Sequence, residues 1–296
     1  MEIKTTQDAL NFINSCDTFL FDCDGVLWNG SHVIPKSVEL LSYLKSKGKR
    51  TVLVSNNSTS SRKGYLKKLE AMKFSVNEDD IFPSSYAAAY YLKEIEKLKP
   101  NDKVYVVGMG GIVDELELAG FETLGITDNV TEHTFSAANE LLNKFDPNVK
   151  AVVVGFDLHM NYAKLARAFD QLNRNSDCKF IATNDDSTFP IQGGVLPGTG
   201  AWVAALKECS QKEPVITGKP STHLFNALKK FYGLETDKTC MIGDRIDTDI
   251  AFGKNHGMKS LLVLTGISSR SSLENTPLKP DYHIESVTKL FELINT

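Results

Sequence analysis

Short apolar runs alternate with amphipathic stretches along nearly the whole chain. Thr18–Phe21, Arg50–Val54, Lys103–Val107, Ala151–Val154, Cys178–Ala182, Cys240–Ile242 and Ser260–Leu264 are too brief for helices. They read as strands buried on both faces, as in a parallel sheet covered by helices. Between them, apolar residues at helical spacing predict helices over Ser37–Lys47 (stopped by Gly48), Arg62–Lys73, Ser84–Lys97, Ile112–Leu118, Ser136–Lys144 and Tyr162–Arg174. The same spacing predicts Thr222–Phe231, Ile250–Asn255 and Val287–Ile294. Thr5-Thr6-Gln7-Asp8 opens a further helix with capping chemistry, running to about Ser15. Strand and helix alternating through short connections predict an α/β fold with a doubly wound, Rossmann-like parallel sheet.

Two polar breaks divide this pattern. Lys97-Leu98-Lys99-Pro100-Asn101-Asp102 ends the first unit, after which the alternation restarts with a strand around Thr123 among its members. It runs through Gly193-Gly194 and Pro197-Gly198-Thr199-Gly200 to a helix ending near Cys209. Ser210–Glu213 is the second break, and the first unit is expected to resume at Val215-Ile216. The expected organisation is a core of residues 1–100 and 213–296 interrupted by an inserted α/β unit of 101–212. A length of 296 residues suits such a two-domain arrangement.

Composition narrows the partners. The formal balance is 33 − 37 = −4 without a long basic run, so neither nucleic acid nor an anionic membrane is implied. The opening residues Met1–Thr6 lack a signal peptide's apolar core, and no apolar segment approaches membrane-spanning length. Cys16, Cys23, Cys178, Cys209 and Cys240 form no C-x-x-C and read as free thiols in a reducing, cytoplasmic setting. Six histidines, His133 among them, are dispersed without metal-ligand spacing, and Trp28 and Trp202 read as packing residues. Gly108-Met109-Gly110-Gly111 after a strand hints at a dinucleotide fingerprint, but Val113 takes the third glycine's place, and a tight turn is the simpler reading.

The candidate chemistry sits where strands end. Asp22 and Asp24, closed by Gly25, follow the first strand, where open α/β sheets place their ligands. Two carboxylates against a core call for a hard cation, although Asp and Gly are also ordinary turn residues. Ser55-Asn56-Asn57 ends the second strand with a hydroxyl and backbone amides that suit a phosphate oxygen or, equally, cap a helix. Lys219, between Gly218 and Pro220, can neutralise a phosphate or lie solvated in a turn. Gly243-Asp244 ends another apolar strand, with Asp247 and Asp249 following; clustered carboxylates there suit Mg²⁺ or a helix start.

In this order, Asp-x-Asp-Gly-Val, Ser-Asn, Gly-Lys-Pro and Gly-Asp-x-x-x-x-Asp resemble the haloacid dehalogenase-like superfamily across nearly the whole chain. The insertion resembles that superfamily's C2-type cap. Ala182–Pro190 followed by Pro197-Gly198-Thr199-Gly200 resembles its 4-nitrophenylphosphatase and phosphoglycolate phosphatase branch. The resemblance implies a phosphatase of small phosphate monoesters, working through an aspartyl-phosphate on Asp22 with Asp24 as acid and base. It implies Mg²⁺ held by Asp22, the Asp24 carbonyl and Asp244, with Asp249 in the inner or outer coordination sphere. Ser55, Asn56, Asn57 and Lys219 would bind phosphate, while Asn184 and Asp186 would reach the substrate from the cap. A homodimer formed through the cap is a further expectation, and Asp247, off the family spacing, is read as structural. The alternatives are a pyridoxal phosphate phosphatase, which usually carries histidine where this chain has Phe189, a nucleotide-binding oxidoreductase resting on Gly108–Gly111, and an inactive scaffold. Dehalogenation has no use for Asp24 or a Mg²⁺ site.

Overall fold

The computed structural model describes residues 1–129, 135–191 and 194–295, so His133 and Gly193 lie outside the described residues. In chain order the first strands are β1 Thr18–Phe21, β2 Trp28–Asn29, β3 His32–Val33, β4 Arg50–Ser55, β5 Ile81–Pro83, β6 Lys103–Val107 and β7 Glu122–Leu124. There follow β8 Val149–Val154, β9 Lys179–Ala182, β10 Thr188–Ile191, β11 Gly194–Pro197, β12 Val215–Ile216, β13 Thr239–Gly243, β14 Lys259–Val263 and β15 Tyr282–Ile284.

Among the described residues a six-stranded sheet runs β15-β14-β13-β1-β4-β5, parallel throughout. Alternation along β1 explains its two-sided burial. Phe19 and Phe21 enter one cluster, with helices Thr6–Asn14, Ser37–Ser46 and Arg62–Ala71. Leu20 enters the other, with helix Thr222–Tyr232 and Phe252. Each fully buried side chain of this size stabilises the fold by about 1.5–3 kcal/mol, and Phe19→Ala would cost about 3–5 kcal/mol. From β1 the chain winds outward to β4 and β5, then returns on the other side as β13, β14 and β15. The winding direction therefore reverses at β1, and a crevice opens at the carboxyl ends of β1, β4 and β13.

A second, five-stranded parallel sheet runs β12-β9-β8-β6-β7. Val104 and Val106 face one apolar cluster, Tyr105 and Val107 the other, so this sheet is also covered on both faces. Val215–Ile216, expected to resume the first unit, instead pairs with Ile181 and Ala182 of β9. Two residues carry too little pattern to reveal which sheet they join.

Other departures have similar causes. Strands β5 and β15 are three residues each, below the length at which periodicity shows. The helix expected over Ser84–Lys97 is regular only to Tyr90 and continues as a π-helical turn, Tyr91–Ile95. Gly111 lies against the core: a Cβ there would come within 2.3 Å of the Ser60 backbone. That close approach accounts for Gly111 without a dinucleotide. Beside it, Arg62 Nη2 meets Glu115 Oε2 at 3.1 Å, and Ser61 Oγ donates to Asp114 Oδ2 at 2.9 Å. No described helix is long and apolar enough to cross a membrane.

Candidate active site

Asp22 follows β1 directly, its backbone N–H donating to the Ile242 carbonyl at 2.8 Å. The chain then turns at Gly25, whose φ of +84° favours glycine, and the buried Val26, Leu27 and Trp28 pin the turn to the core. Asp22 and Asp24 thereby line the same crevice.

Lys219 ties the ends of β1 and β4 to the helical turn Ile246–Ile250 that follows β13. Its Nζ lies 2.6 Å from Asp22 Oδ1 and 2.8 Å from Asp249 Oδ1, and donates to the Val54 carbonyl at 2.8 Å. Burial works against the ammonium, but Asp22 and Asp249 outweigh it and hold its pKa above the ordinary lysine value. At the end of β4, Ser55 Oγ accepts from Tyr65 Oη at 3.1 Å and from the Asn57 amide at 3.2 Å. Both bonds leave the serine hydrogen to be donated elsewhere. Asn56 Oδ1 accepts from the Lys219 amide at 2.7 Å, fixing the β4 and Lys219 loops to each other. Asn57 lines the crevice, but its Oδ1 accepts from the Thr59 amide and hydroxyl.

Asp22, Asp244 and Asp249 each place a carboxylate oxygen within 4.8 Å of the others. Burial, then Lys219 in the opposite sense, leaves Asp22 raised in pKa, and Asp249 is pushed up to about 6 by the same pair of effects. Burial and the other two acids lift Asp244 well above the carboxylate range. Asp24 is raised chiefly by burial, with Lys68 the main opposing charge. Crowded, buried, all-oxygen donors of this kind fit Mg²⁺. Glycines make the room: a Cβ at Gly266 would stand 1.8 Å from Asp244 Oδ2, and one at Gly243 would stand 2.2 Å from the Asp249 carboxylate. The Ile267 amide then donates to Asp244 Oδ2 at 2.6 Å, and the Arg245 amide to Asp249 Oδ2 at 3.1 Å.

The loops that follow β8 and β9, with the antiparallel β10–β11 hairpin, roof this cluster over a cavity of about 380 Å³, large enough for a small molecule. Asn184 Nδ2 donates to the Asn56 carbonyl at 2.7 Å, and Asn56 Nδ2 to Asp186 Oδ1 at 3.1 Å. Burial raises Asp186 to about 6, against the nearby charge of Arg245. Phe189 packs edge-to-face on Phe156 at 4.7 Å, both lining the cavity. All eight positions singled out beyond Asp22 and Asp24 line the cavity together with them: Ser55, Asn56, Asn57, Asn184, Asp186, Lys219, Asp244 and Asp249. The Asp24 carboxylate stands apart from the three-acid cluster. Asp247 instead holds Arg245, 2.9 Å from Nη2.

Sequence reasoning missed Arg245, Tyr65, Lys68 and Gly266. Arg245 Nη1 donates to the Thr188 carbonyl of the roof at 3.0 Å. A signal existed for Gly266, since Thr265-Gly266 follows β14 as Asp-x-Asp-Gly follows β1. For Tyr65 and Lys68, inside a helix, no local signal separates site residues from packing.

Residues 19–122 match the family described as haloacid dehalogenase-like hydrolase, and residues 216–290 a second described as HAD-hydrolase-like. The chain is 44% identical to the chloroplastic phosphoglycolate phosphatase 1A of Arabidopsis thaliana, over 97% of this chain and 80% of that protein. Its fold is similar to a p-nitrophenyl phosphatase from Archaeoglobus fulgidus, with a TM-score of 0.80, 34% identity, and coverage of 94% of this chain and 99% of that one. A glycerol phosphate phosphatase from Mycobacterium tuberculosis, in complex with magnesium, is also similar, with a TM-score of 0.77, 26% identity, and coverage of 97% and 78%.

Proposed function

The chain belongs to the haloacid dehalogenase-like hydrolase family, and we propose that it is a Mg²⁺-dependent phosphatase of small phosphate monoesters, with 2-phosphoglycolate the favoured ester and 4-nitrophenyl phosphate a surrogate. One observation carries this reading: the Lys219 ammonium is bound to Asp22 and Asp249 on the floor of a cavity only about 380 Å³ in volume.

In this reading Asp22 attacks phosphorus while the bond to the alcohol oxygen breaks, leaving an aspartyl-phosphate. Asp24 gives its proton to the departing alkoxide, then takes one from the water that attacks phosphorus and frees Asp22. Ser55, the Asn56 amide and Lys219 hold the transferring oxygens, which is most of what this chemistry requires. Asp22, the Asp24 carbonyl and Asp244 would hold Mg²⁺, with Asp249 beside them. Bound there, the ion screens the repulsion between an anionic nucleophile and an anionic phosphate.

The second sheet acts as a cap of about residues 101–216 on a core of the remaining residues, β12 moving the second crossing beyond Ser210–Glu213. Asn184 and Asp186 then position the closed cap, excluding bulk water during phosphoryl transfer while leaving room for the one water that attacks the intermediate. Exposed Val195 and Leu196 on β11 support a homodimer formed through the cap. Unpaired cysteines support a reducing compartment, which we take to be the cytoplasm. Against pyridoxal phosphate, the Phe156–Phe189 pair narrows the roof with apolar rings.

A panel of 2-phosphoglycolate, glycerol 3-phosphate, 4-nitrophenyl phosphate and pyridoxal phosphate, assayed with Mg²⁺, tests the assignment. The highest kcat/KM is expected for 2-phosphoglycolate; much the highest value for pyridoxal phosphate would overturn it.

A further inference from the structure

Among the described residues the cavity is lined by three cationic side chains, Lys219, Arg245 and Lys68. Two of them are fully engaged. Lys219 lies between Asp22 and Asp249; Arg245 is gripped by Asp247 through Nε and Nη2 and bonded to the Thr188 carbonyl through Nη1. Lys68 differs. Among the described residues its ammonium has no hydrogen bond or ion pair, and it rests 4.6 Å from the centroid of the buried Trp28 ring.

Its position on helix Arg62–Ala71 is informative. Lys68 lies three residues after Tyr65, so the two share a face. Tyr65 orients Ser55 at the phosphate end. Lys68 stands on the Asp24 side, where its charge is the largest favourable one acting on that carboxylate. Asp24 is the group that meets the ester oxygen of the leaving alcohol, so a cation beside it borders whatever that alcohol carries. In a phosphorylated α-hydroxy acid the carboxylate is one carbon from that oxygen. A half-buried ammonium without a carboxylate partner is a ready receptor for it.

We propose that Lys68 binds the carboxylate of the leaving group, selecting phosphate esters of small α-hydroxy acids over esters of neutral alcohols. This rests on the phosphatase reading above and specifies its substrate class.

The test compares 2-phosphoglycolate with 2-hydroxyethyl phosphate, an ester of similar size whose leaving group also needs a proton but has no carboxylate. Both are assayed with Mg²⁺-loaded wild type, Lys68→Met, Lys68→Gln and Lys68→Arg. Wild type should prefer 2-phosphoglycolate, and either neutral variant should lower its kcat/KM about 10- to 100-fold more than that of the neutral ester, chiefly through KM. Lys68→Arg should restore most of the preference. Circular dichroism and a thermal melt confirm that each variant is folded. Equal losses on both alkyl esters, with a shifted pH profile, would show that Lys68 acts through Asp24 and overturn the proposal. So would a wild type that hydrolyses both esters without preference. Failure of wild type to hydrolyse any of these esters would instead sink the phosphatase reading itself.

Discussion

Asn56, just after β4, points its side-chain amide at the Asp186 carboxylate in the loop after β9, 3.1 Å from Oδ1 and 3.2 Å from Oδ2. The same amide donates to the Lys219 carbonyl, and its oxygen accepts from the Lys219 amide. One side chain thus joins the roof of the cavity to the loop that carries the lysine. A shift of the roof would therefore disturb the geometry around Asp22.

Asp186 makes that junction sensitive to pH. Burial lifts its carboxyl to about 6, above the ordinary aspartate value, so the folded chain holds this proton more tightly than the unfolded one. Stability is therefore lost as pH rises through the interval from about 4 to about 6, and the full cost is present above it. Asp186→Asn should stabilise the protein by on the order of 2 kcal/mol at about pH 7.5 and by almost nothing at about pH 4. Urea denaturation at the two pH values checks this; an equal effect at both contradicts it.

Gly266 has no side chain because Asp244 occupies the space. Gly266→Ala would press a methyl group into a carboxylate also held by the Ile267 amide. The expected result is a folded protein whose Mg²⁺ affinity falls ~10-fold or more, with activity partly recovered at high Mg²⁺. Calorimetric Mg²⁺ titration decides the matter, and an unchanged affinity would show that Asp244 does not depend on this contact.

Glu115 is 1% exposed and held by Arg62, whose Nε lies 3.2 Å from both carboxylate oxygens. Arg62→Ala would strand the acid in the interface between the sheets, at a cost of about 3–5 kcal/mol. Pairing Arg62→Met with Glu115→Leu should recover most of that loss, because no buried charge is left alone. Guanidinium denaturation of the two variants gives the comparison, and equal stabilities would contradict it.

How much was legible in the sequence depended on whether a residue's role was local. Asp22, Ser55 and Asp244 each end an apolar run on a polar residue, so both the strand and a place at its carboxyl end, on the cavity, could be read from a few neighbours. Lys219 was legible through Gly218 and Pro220 beside it, and Asp249 through its spacing from Asp244. Lys68 and Tyr65 lie on an ordinary amphipathic helix, and only tertiary packing turns them toward Trp28 and Ser55. Arg245 stands next to Asp244 yet acts across the cavity on Thr188, a partner 57 positions away. The pairing of Val215–Ile216 with β9 is a long-range choice that two β-branched residues cannot encode alone.

Asp22 is expected to carry the phosphoryl group, with Asp24 serving both half-reactions. Single-turnover trapping with phosphorus-labelled 4-nitrophenyl phosphate, acid quench and peptide mapping locates that group. Nitrophenolate barely needs protonation to leave, whereas the water step still needs a base, so Asp24→Asn should accumulate phosphoenzyme. General acid–base help is worth ~10²–10⁴-fold where it is required. The expected result is an acid-stable, hydroxylamine-labile phosphate on the peptide containing Asp22, and no label and no turnover with Asp22→Asn. Label on a serine, a phosphoenzyme that is lost in acid but survives base as a phosphohistidine does, or substantial turnover by Asp22→Asn would overturn this assignment.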